Sequence, residues 1–199
     1  MTAHYLVNSV HDIKPGQWAL VHAAAGGVGQ ILCQMIKAKG GRVIATCSSE
    51  AKAAIAREVG AEQVVIGYEG FSVPVKQFAD GKGVHVVYDG VGKTTFDESL
   101  NSLRPRGMMA LYGGASGQVP PVDLQILNAK GSLMVTRPKL GDFIPTKEEM
   151  DWRAQEIFAL VKEGKLKFQI GGVYTMESVG KCHDDIEGGK TTGKLLLEV

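Results

Sequence analysis

A glycine-rich stretch between two apolar runs constrains this chain more than any other feature of its sequence. The run Trp18–Val21 leads into residues 23–30, which read AAAGGVGQ, and apolar residues at helical spacing follow. That order predicts a strand, a tight turn and a helix. Ala24-x-Gly26-x-x-Gly29 fits the dinucleotide fingerprint with alanine as its first glycine; Gly26 lets the backbone approach a pyrophosphate, and Gly29 lets the helix pack closely. Because helix N-termini favour phosphate groups, the stretch predicts a nucleotide cofactor site.

Short apolar runs alternate with helical segments over the first two thirds of the chain. We expect strands at Trp18–Val21, Val43–Thr46, Val64–Ile66, Val84–Tyr88, Met108–Leu111 and Leu133–Thr136. Such an alternation indicates βαβ units with right-handed crossovers. The predicted fold class is therefore α/β, a Rossmann doubly wound six-stranded parallel sheet with helices on both faces.

The pattern changes after residue 138. A longer amphipathic helix is predicted over residues 147–162, and a strand over residues 194–199 has no evident partner in the six-stranded sheet. In the long helix, the residues expected to face inward are Trp152, Ile157, Phe158 and Val161.

Composition and charge exclude several classes of function. The chain has 199 residues, of which 44% are hydrophobic and 22% charged, as in ordinary soluble globular proteins. The net charge of +1 gives no electrostatic basis for binding DNA, RNA or a membrane surface. Three widely spaced cysteines indicate reduced thiols and no zinc ribbon. Since no apolar run approaches the ~20 residues that span a bilayer, and no signal layout is present, we expect a cytoplasmic protein.

The end of the second predicted strand bears on the choice of cofactor. NAD-preferring folds carry an acid ~20 residues beyond the glycine loop, where it binds the ribose 2′-hydroxyl. Here the corresponding residues 46–49 read TCSS, and Lys52 follows one helical turn later. Small hydroxyls and a cation suit a 2′-phosphate, so the sequence favours NADPH. In the alternative interpretation, Ser48 is only a helix N-cap and Lys52 a solvated surface lysine.

The sequence gives little evidence for other kinds of site, such as a metal site or a hydrolase site. The five histidines are scattered without metal-ligand spacing, so we expect no metal site. Residues 182–185, which read CHDD, are expected on an exposed helix face. Ser116 lies outside any nucleophile elbow, which argues against a hydrolase. Two further glycine-rich loops, residues 89–92 and 112–117, follow predicted strands at the edge where open α/β sheets bind ligands.

Several motifs together resemble one family. They are residues 22–34, Tyr88-Asp89-x-x-Gly92, Leu103-Arg104-Pro105-Arg106-Gly107, Tyr112-Gly113-x-Ala115-Ser116-Gly117, Thr136-Arg137-Pro138 and Gly193-Lys194-Leu195-Leu196-Leu197. This set, which extends over nearly the whole chain, resembles the quinone oxidoreductase (zeta-crystallin-like) branch of the zinc-free medium-chain dehydrogenase/reductase superfamily.

The resemblance implies an enzyme, an NADPH:quinone oxidoreductase that passes a hydride from NADPH to a small-molecule quinone or enone. It implies no metal and, within this chain, no catalytic side chain. Family members commonly pair as homodimers through the edge strand, here Leu133–Thr136. The implied cofactor contacts are Thr2, Ala25, Gly26, Gly27, Val28, Ser48, Lys52, Tyr68, Gly90, Tyr112, Gly113, Gly114, Ala115, Arg137, Pro138, Lys139 and Leu140.

The resemblance also implies a division of the chain. The family places a GroES-like lobe before the nucleotide domain, and we expect that lobe to be absent from this chain. We therefore expect residues 1–164 to form the NADP-binding Rossmann domain and residues 165–199 to belong to the otherwise missing catalytic lobe. The alternative function is a fragment or short isoform that binds NADPH or RNA, or dimerises, without catalytic turnover.

Overall fold

The computed structural model describes residues 1–189 and 191–199 of the chain. Its strands are β1 (Trp18–Val21), β2 (Arg42–Cys47), β3 (Gln63–Ile66), β4 (Val84–Asp89), β5 (Leu103–Leu111), β6 (Met134–Thr136), β7 (Ile170–Thr175) and β8 (Lys194–Glu198). Its α-helices are α1 (Thr2–Tyr5), α2 (Gly27–Ala38), α3 (Glu50–Glu58), α4 (Ser72–Phe78), α5 (Phe96–Ser102), α6 (Gln125–Ala129), α7 (Lys147–Lys162) and α8 (Val179–Glu187). Short turns of other helix types occupy Leu6–Val10, Leu140–Phe143 and Met176–Ser178.

The first six strands form one parallel sheet in the order β3-β2-β1-β4-β5-β6. This confirms the predicted Rossmann doubly wound sheet. The strand order reverses between β1 and β4, and in such sheets a crevice opens beside the carboxyl ends of the strands at that point. The glycine-rich stretch leaves β1 there. In the described part of the chain, no helix is long and apolar enough to cross a membrane.

Both faces of the sheet are buried, which explains why its central strand is a continuous apolar run. Along β1, Ala19 and Val21 belong to the core that contains Leu32 of α2. Leu20, which points to the opposite face, belongs to the core that contains Phe71. The two cores hold the carboxyl end of β1 in a fixed position, so the loop that follows starts from a rigid base.

The predicted inward face of α7 is largely wrong. Trp152, Phe158 and Val161 are 41%, 69% and 38% exposed, and of the four expected residues only Ile157 packs against a core. The buried residue of this helix is instead Arg153, which is 1% exposed. Since Arg153 and Ile157 are four positions apart, they lie on the same face of the helix, which is therefore rotated away from the predicted one.

Arg153 connects α7 to the amino-terminal segment. Its guanidinium donates to the carbonyl of Phe143 at 2.6 Å and to the hydroxyl of Ser9 at 3.0 Å. The imidazole of His4 lies 3.3 Å from the same guanidinium. These hydrogen bonds satisfy a buried cation, which would otherwise be very costly.

The last strand finds a partner outside the main sheet. β8 pairs in parallel with β7 in a two-stranded sheet, which leaves Val173 59% and Leu196 45% exposed. Cys182 of α8, expected on an exposed face, is buried. The division of the chain at residue 164 stays a prediction, although this carboxyl-terminal part also contacts the glycine loop.

Candidate cofactor-binding site

The loop after β1 is a tight turn that requires a small residue at Gly29. Ala23 adopts a left-handed conformation with φ of 48°, and its carbonyl accepts a hydrogen bond from Gly26 N at 2.9 Å. A Cβ atom on Gly29 would lie 2.5 Å from Ala23 O and 2.7 Å from Ala24 Cα. Because those are backbone atoms that cannot move aside, only glycine lets α2 start this close to the strand end.

The start of α2 offers backbone donors to a ligand. Among the described residues, the N–H groups of Val28 and Gly29 have no hydrogen-bond acceptor, whereas the N–H of Gly27 faces the Gly193 carbonyl in the parallel bridge between Gly26 and Gly193. They lie at the positive end of the helix dipole and point away from the helix, as in other phosphate-binding helix N-termini. Gly26, with φ of −77° and ψ of 169°, has an extended backbone that any residue could adopt. A side chain at Gly26 would, however, occupy space that a ligand needs.

A cavity of about 450 Å³ lies over this helix start and the tip of β2. Two of its lining residues, Lys52 and Lys194, are cationic, and none of the described lining residues is a carboxylate. The wall consists of Ala23, Ala25, Gly26, Gly27, Val28, Cys47, Ser48, Lys52, Tyr68, Ile186, Gly189, Thr191, Gly193, Lys194 and Leu195. Its charge suits an anionic ligand.

The tip of β2 resolves the two interpretations of its serines. Ser49 is the N-cap of α3, and its hydroxyl accepts from Lys52 N at 3.4 Å. Ser48 is therefore not the helix cap, and it lines the cavity. The Lys52 ammonium is not simply solvated, since it donates to the carbonyl of Gly189 at 2.7 Å. A phosphate would be a stronger partner for this ammonium than a neutral carbonyl.

The carboxyl-terminal segment forms the second wall of the cavity, which sequence reasoning missed. Gly193 pairs with Gly26 as in a parallel sheet, and its N–H donates to Ala25 O at 3.2 Å. The Gly193 carbonyl lies 3.1 Å from where a Cβ on Gly27 would be. The density of glycines near residue 190 was the available signal, because two backbones can approach this closely only where side chains are absent.

A second group of predicted residues lies at the loops after β4, β5 and β6. Gly113, Gly114 and Arg137 line a separate cavity of about 570 Å³. The Tyr112 ring covers Gly90, where a Cβ would come within 2.9 Å of it. The loops after β4 and β5 therefore pack on one another.

The structure thus distributes the seventeen residues implied by the resemblance over two cavities and their surroundings. Those in the first cavity are Ala25, Gly26, Gly27, Val28, Ser48, Lys52 and Tyr68. In the described part of the chain, those outside the walls of both cavities are Thr2, Gly90, Tyr112, Ala115, Pro138, Lys139 and Leu140.

The titratable groups of the first cavity are suited to binding rather than to nucleophilic chemistry. Burial raises the pKa of the Cys47 thiol, although the backbone N–H groups of Ala25 and Ala24 oppose this shift. Burial likewise raises the pKa of Tyr68. Both side chains are neutral near pH 7 and add no negative charge. Among the described residues, no group of three or more His, Cys, Asp or Glu side chains could hold a metal ion.

A buried polar network lies directly below the loop. The His22 ring, at the end of β1, contacts Thr46 Oγ1 at 2.7 Å through Nδ1 and Ser99 Oγ at 2.8 Å through Nε2. Ser99 donates to Asp89 Oδ2 at 3.0 Å. The same carboxylate accepts the N–H of Val91 at 2.8 Å. All four side chains of this network, those of His22, Thr46, Ser99 and Asp89, are fully buried.

Stability is expected to fall below pH 6.5 because of His22. Burial lowers the pKa of this imidazole to about 4, and the opposing charge of Asp89 does not restore it. The unfolded chain, with a pKa of ~6.5, therefore takes up the proton first as pH falls. The contribution of His22 is complete above pH ~6.5 and declines by up to about 1.4 kcal/mol per pH unit down to pH ~4.

Urea unfolding between pH 7 and 5 measures this effect. In His22→Gln the free energy of unfolding should fall less steeply with acidification, by about one proton. Identical slopes in the two proteins would show that His22 titrates normally.

Comparison with known proteins identifies a family and relatives that are named as reductases. A family model described as zinc-binding dehydrogenase matches residues 27–157. Over 99% of its length the chain is 43% identical to a quinone oxidoreductase of Salmonella typhimurium and 39% identical to a 2-haloacrylate reductase of a Burkholderia species. It spans 61% and 60% of those relatives, about three fifths of their length.

Two solved structures are similar to this chain over nearly its whole length. A mycobacterial protein solved in complex with NADPH is 47% identical with a TM-score of 0.97, and the match covers 99% of this chain and 62% of that one. The quinone oxidoreductase of Escherichia coli, also solved with NADPH, is 42% identical with a TM-score of 0.95, over 100% of this chain and 62% of that one.

Proposed function

Because the chain belongs to the zinc-binding dehydrogenase family of the medium-chain dehydrogenase/reductase superfamily, we propose that it is the NADPH-binding part of a reductase. The observation that carries the proposal is the cationic cavity over unpaired N–H groups of α2. It has the donors that a pyrophosphate needs and the lysine that a 2′-phosphate needs.

Several residues of the first cavity have a role in this proposal. The N–H group of Val28, together with that of Gly29, holds the pyrophosphate, and Ser48 and Lys52 hold the 2′-phosphate. Tyr68, a neutral phenol, donates a hydrogen bond without repelling the phosphates. When bound, NADPH supplies a hydride that, with one proton, converts a quinone to a hydroquinone.

The second cavity is assigned to the other half of the cofactor. Gly113, Gly114 and Arg137 line it, and the Gly90 loop packs against Gly113. The remaining residues implied by the resemblance are proposed to complete the site around them. These are Thr2, Tyr112, Ala115, Pro138, Lys139 and Leu140.

The proposed acceptor is a quinone or an enone. In both, a carbonyl polarises a conjugated double bond, so that the carbon skeleton or the carbonyl accepts a hydride. The names of two relatives, a quinone oxidoreductase and a 2-haloacrylate reductase, fit this class. NADPH oxidation by this chain should be followed with a para-quinone and with an enone. Turnover supports the proposal, whereas tight NADPH binding without turnover would support the alternative, a cofactor-binding chain that is not active by itself.

We also propose that two copies pair through β6. This strand forms the edge of the sheet, and its Met134 and Val135 are 46% and 38% exposed. An apolar strand edge offers unpaired backbone groups to a second copy. Val135→Lys is expected to give a monomer in light-scattering measurements, because the lysine charge would be buried in the interface. The control Val73→Lys, on a residue that is 62% exposed on α4, should leave the dimer intact. A Val135→Lys protein that remains dimeric would exclude this interface.

A further inference from the structure

The hydrogen bonds of His22 define one tautomer of its ring. Ser99 has a single hydroxyl proton, which it donates to Asp89 Oδ2 at 3.0 Å. Ser99 Oγ must therefore accept from His22 Nε2, 2.8 Å away. A neutral imidazole carries one N–H, so Nδ1 is the acceptor and takes the proton of Thr46 Oγ1 at 2.7 Å. The ring is neutral because burial lowers its pKa to about 4.

At one end of this series of hydrogen bonds, Asp89 fixes the conformation of the loop after β4. Asp89 Oδ1 accepts the N–H groups of Val91 at 2.8 Å and Gly92 at 2.9 Å. Its Oδ2 accepts the hydroxyls of Thr95 and Ser99. With four donors on one carboxylate, the Gly90 turn has a fixed conformation.

The other end lies at the tip of β2. The Thr46 carbonyl accepts the N–H of Ala24 at 3.3 Å, so Thr46 is joined to the glycine loop. The Tyr68 hydroxyl lies close to the Thr46 side chain. Thr46 is also two residues before Ser48, which lines the first cavity.

We propose that His22 is a positioning residue of the cofactor site, whose Nε2–H imidazole holds the tip of β2 and the Gly90 loop at one spacing. The inference rests on the proposed function, because both elements belong to the site only if the chain binds a dinucleotide. One cofactor must contact both, so their relative position determines whether its two halves bind at once in their best geometry.

The composition of the network supports a role beyond packing. The ring is fully buried, and its neighbours in the core are Phe71, with ring centroids 4.9 Å apart, and Tyr68, at 6.3 Å. An apolar residue would satisfy this packing without the desolvation cost of four polar side chains. The polar chain instead connects β2, β1, α5 and the loop after β4, which are the elements that surround the site.

The test uses Ser99→Ala, at the end of the network remote from β2. NADPH spans both elements, so its affinity should fall about tenfold, as expected for a lost hydrogen bond. Adenosine 2′,5′-bisphosphate, which reaches only the Lys52 side, should bind as it does to the wild type. Ser102→Ala is the matched control, since this serine is also buried on α5 but bonds Glu98 O outside the network. It should leave both affinities unchanged.

The possible results distinguish failure of the positioning role from failure of the proposed function. Unchanged NADPH affinity in Ser99→Ala, or equal losses for both ligands, would overturn the positioning role while leaving NADPH binding by the wild type established. A wild type that binds neither ligand would instead reject the proposed function. Nitrogen chemical shifts of His22 provide a readout without cofactor. They should report the Nε2–H tautomer at pH 7, and an Nδ1–H ring or an imidazolium would contradict the inference.

Discussion

Lys52→Ala is expected to weaken NADPH binding about 10- to 100-fold, the effect of losing a charge-assisted hydrogen bond, and to leave NADH binding nearly unchanged. The ammonium lines the first cavity, where its present acceptor is the Gly189 carbonyl at 2.7 Å. NADH has a 2′-hydroxyl in place of the phosphate and gains little from this cation. Fluorescence titration with both cofactors measures the difference.

The control for Lys52→Ala is Lys76→Ala. Lys76 lies on α4 and does not line the first cavity. Both affinities should stay at wild-type values in this variant. If Lys52→Ala weakened NADPH and NADH equally, the 2′-phosphate would not bind at Lys52.

Gly26→Ala is expected to abolish detectable cofactor binding and to leave the fold intact. The backbone at this position is extended, and a Cβ would meet only Ala23 O, at 3.1 Å. The protein can accommodate the methyl group with a small shift. The methyl group would, however, occupy the space through which a pyrophosphate approaches the α2 donors. Calorimetric titration with NADPH and a thermal melt separate binding from stability.

Substitutions at two other glycines provide comparisons for Gly26→Ala. Gly29→Ala should instead destabilise the fold, because its Cβ would collide with backbone atoms at 2.5 and 2.7 Å. Gly180→Ala, on α8, has no atom within 4 Å of the new Cβ and should change neither property. If Gly26→Ala bound NADPH with wild-type affinity, the loop would not be the pyrophosphate site.

The main sheet was predictable because its strands obey a simple physical rule. A parallel strand buried on both faces has to be apolar over most of its length, as Trp18–Val21 and residues 43–45 are, and glycines follow several of the helices between strands. The glycine loop was predictable for a similar reason, since Gly29 is required by the close approach of two backbones.

The other features of the fold and of the site depend on tertiary contacts, which no local sequence pattern encodes. The face of α7 was mispredicted because the buried residue is a charged one, Arg153, which the amino-terminal segment satisfies. The contact between Gly193 and Ala25 joins residues far apart in the sequence. The hydrogen bonds of His22 were likewise hidden, since a histidine next to a glycine loop gives no signal of partners on another strand and a helix.

In the function proposed above, the cavity over the start of α2 binds a nicotinamide dinucleotide with a 2′-phosphate. Calorimetric titration of the wild-type chain with NADPH and NADH at equal ionic strength tests it most directly. We expect one NADPH per chain, bound at least about tenfold more tightly than NADH because of the charge-assisted bond to Lys52. Equal affinities, or no heat with either cofactor, would contradict it.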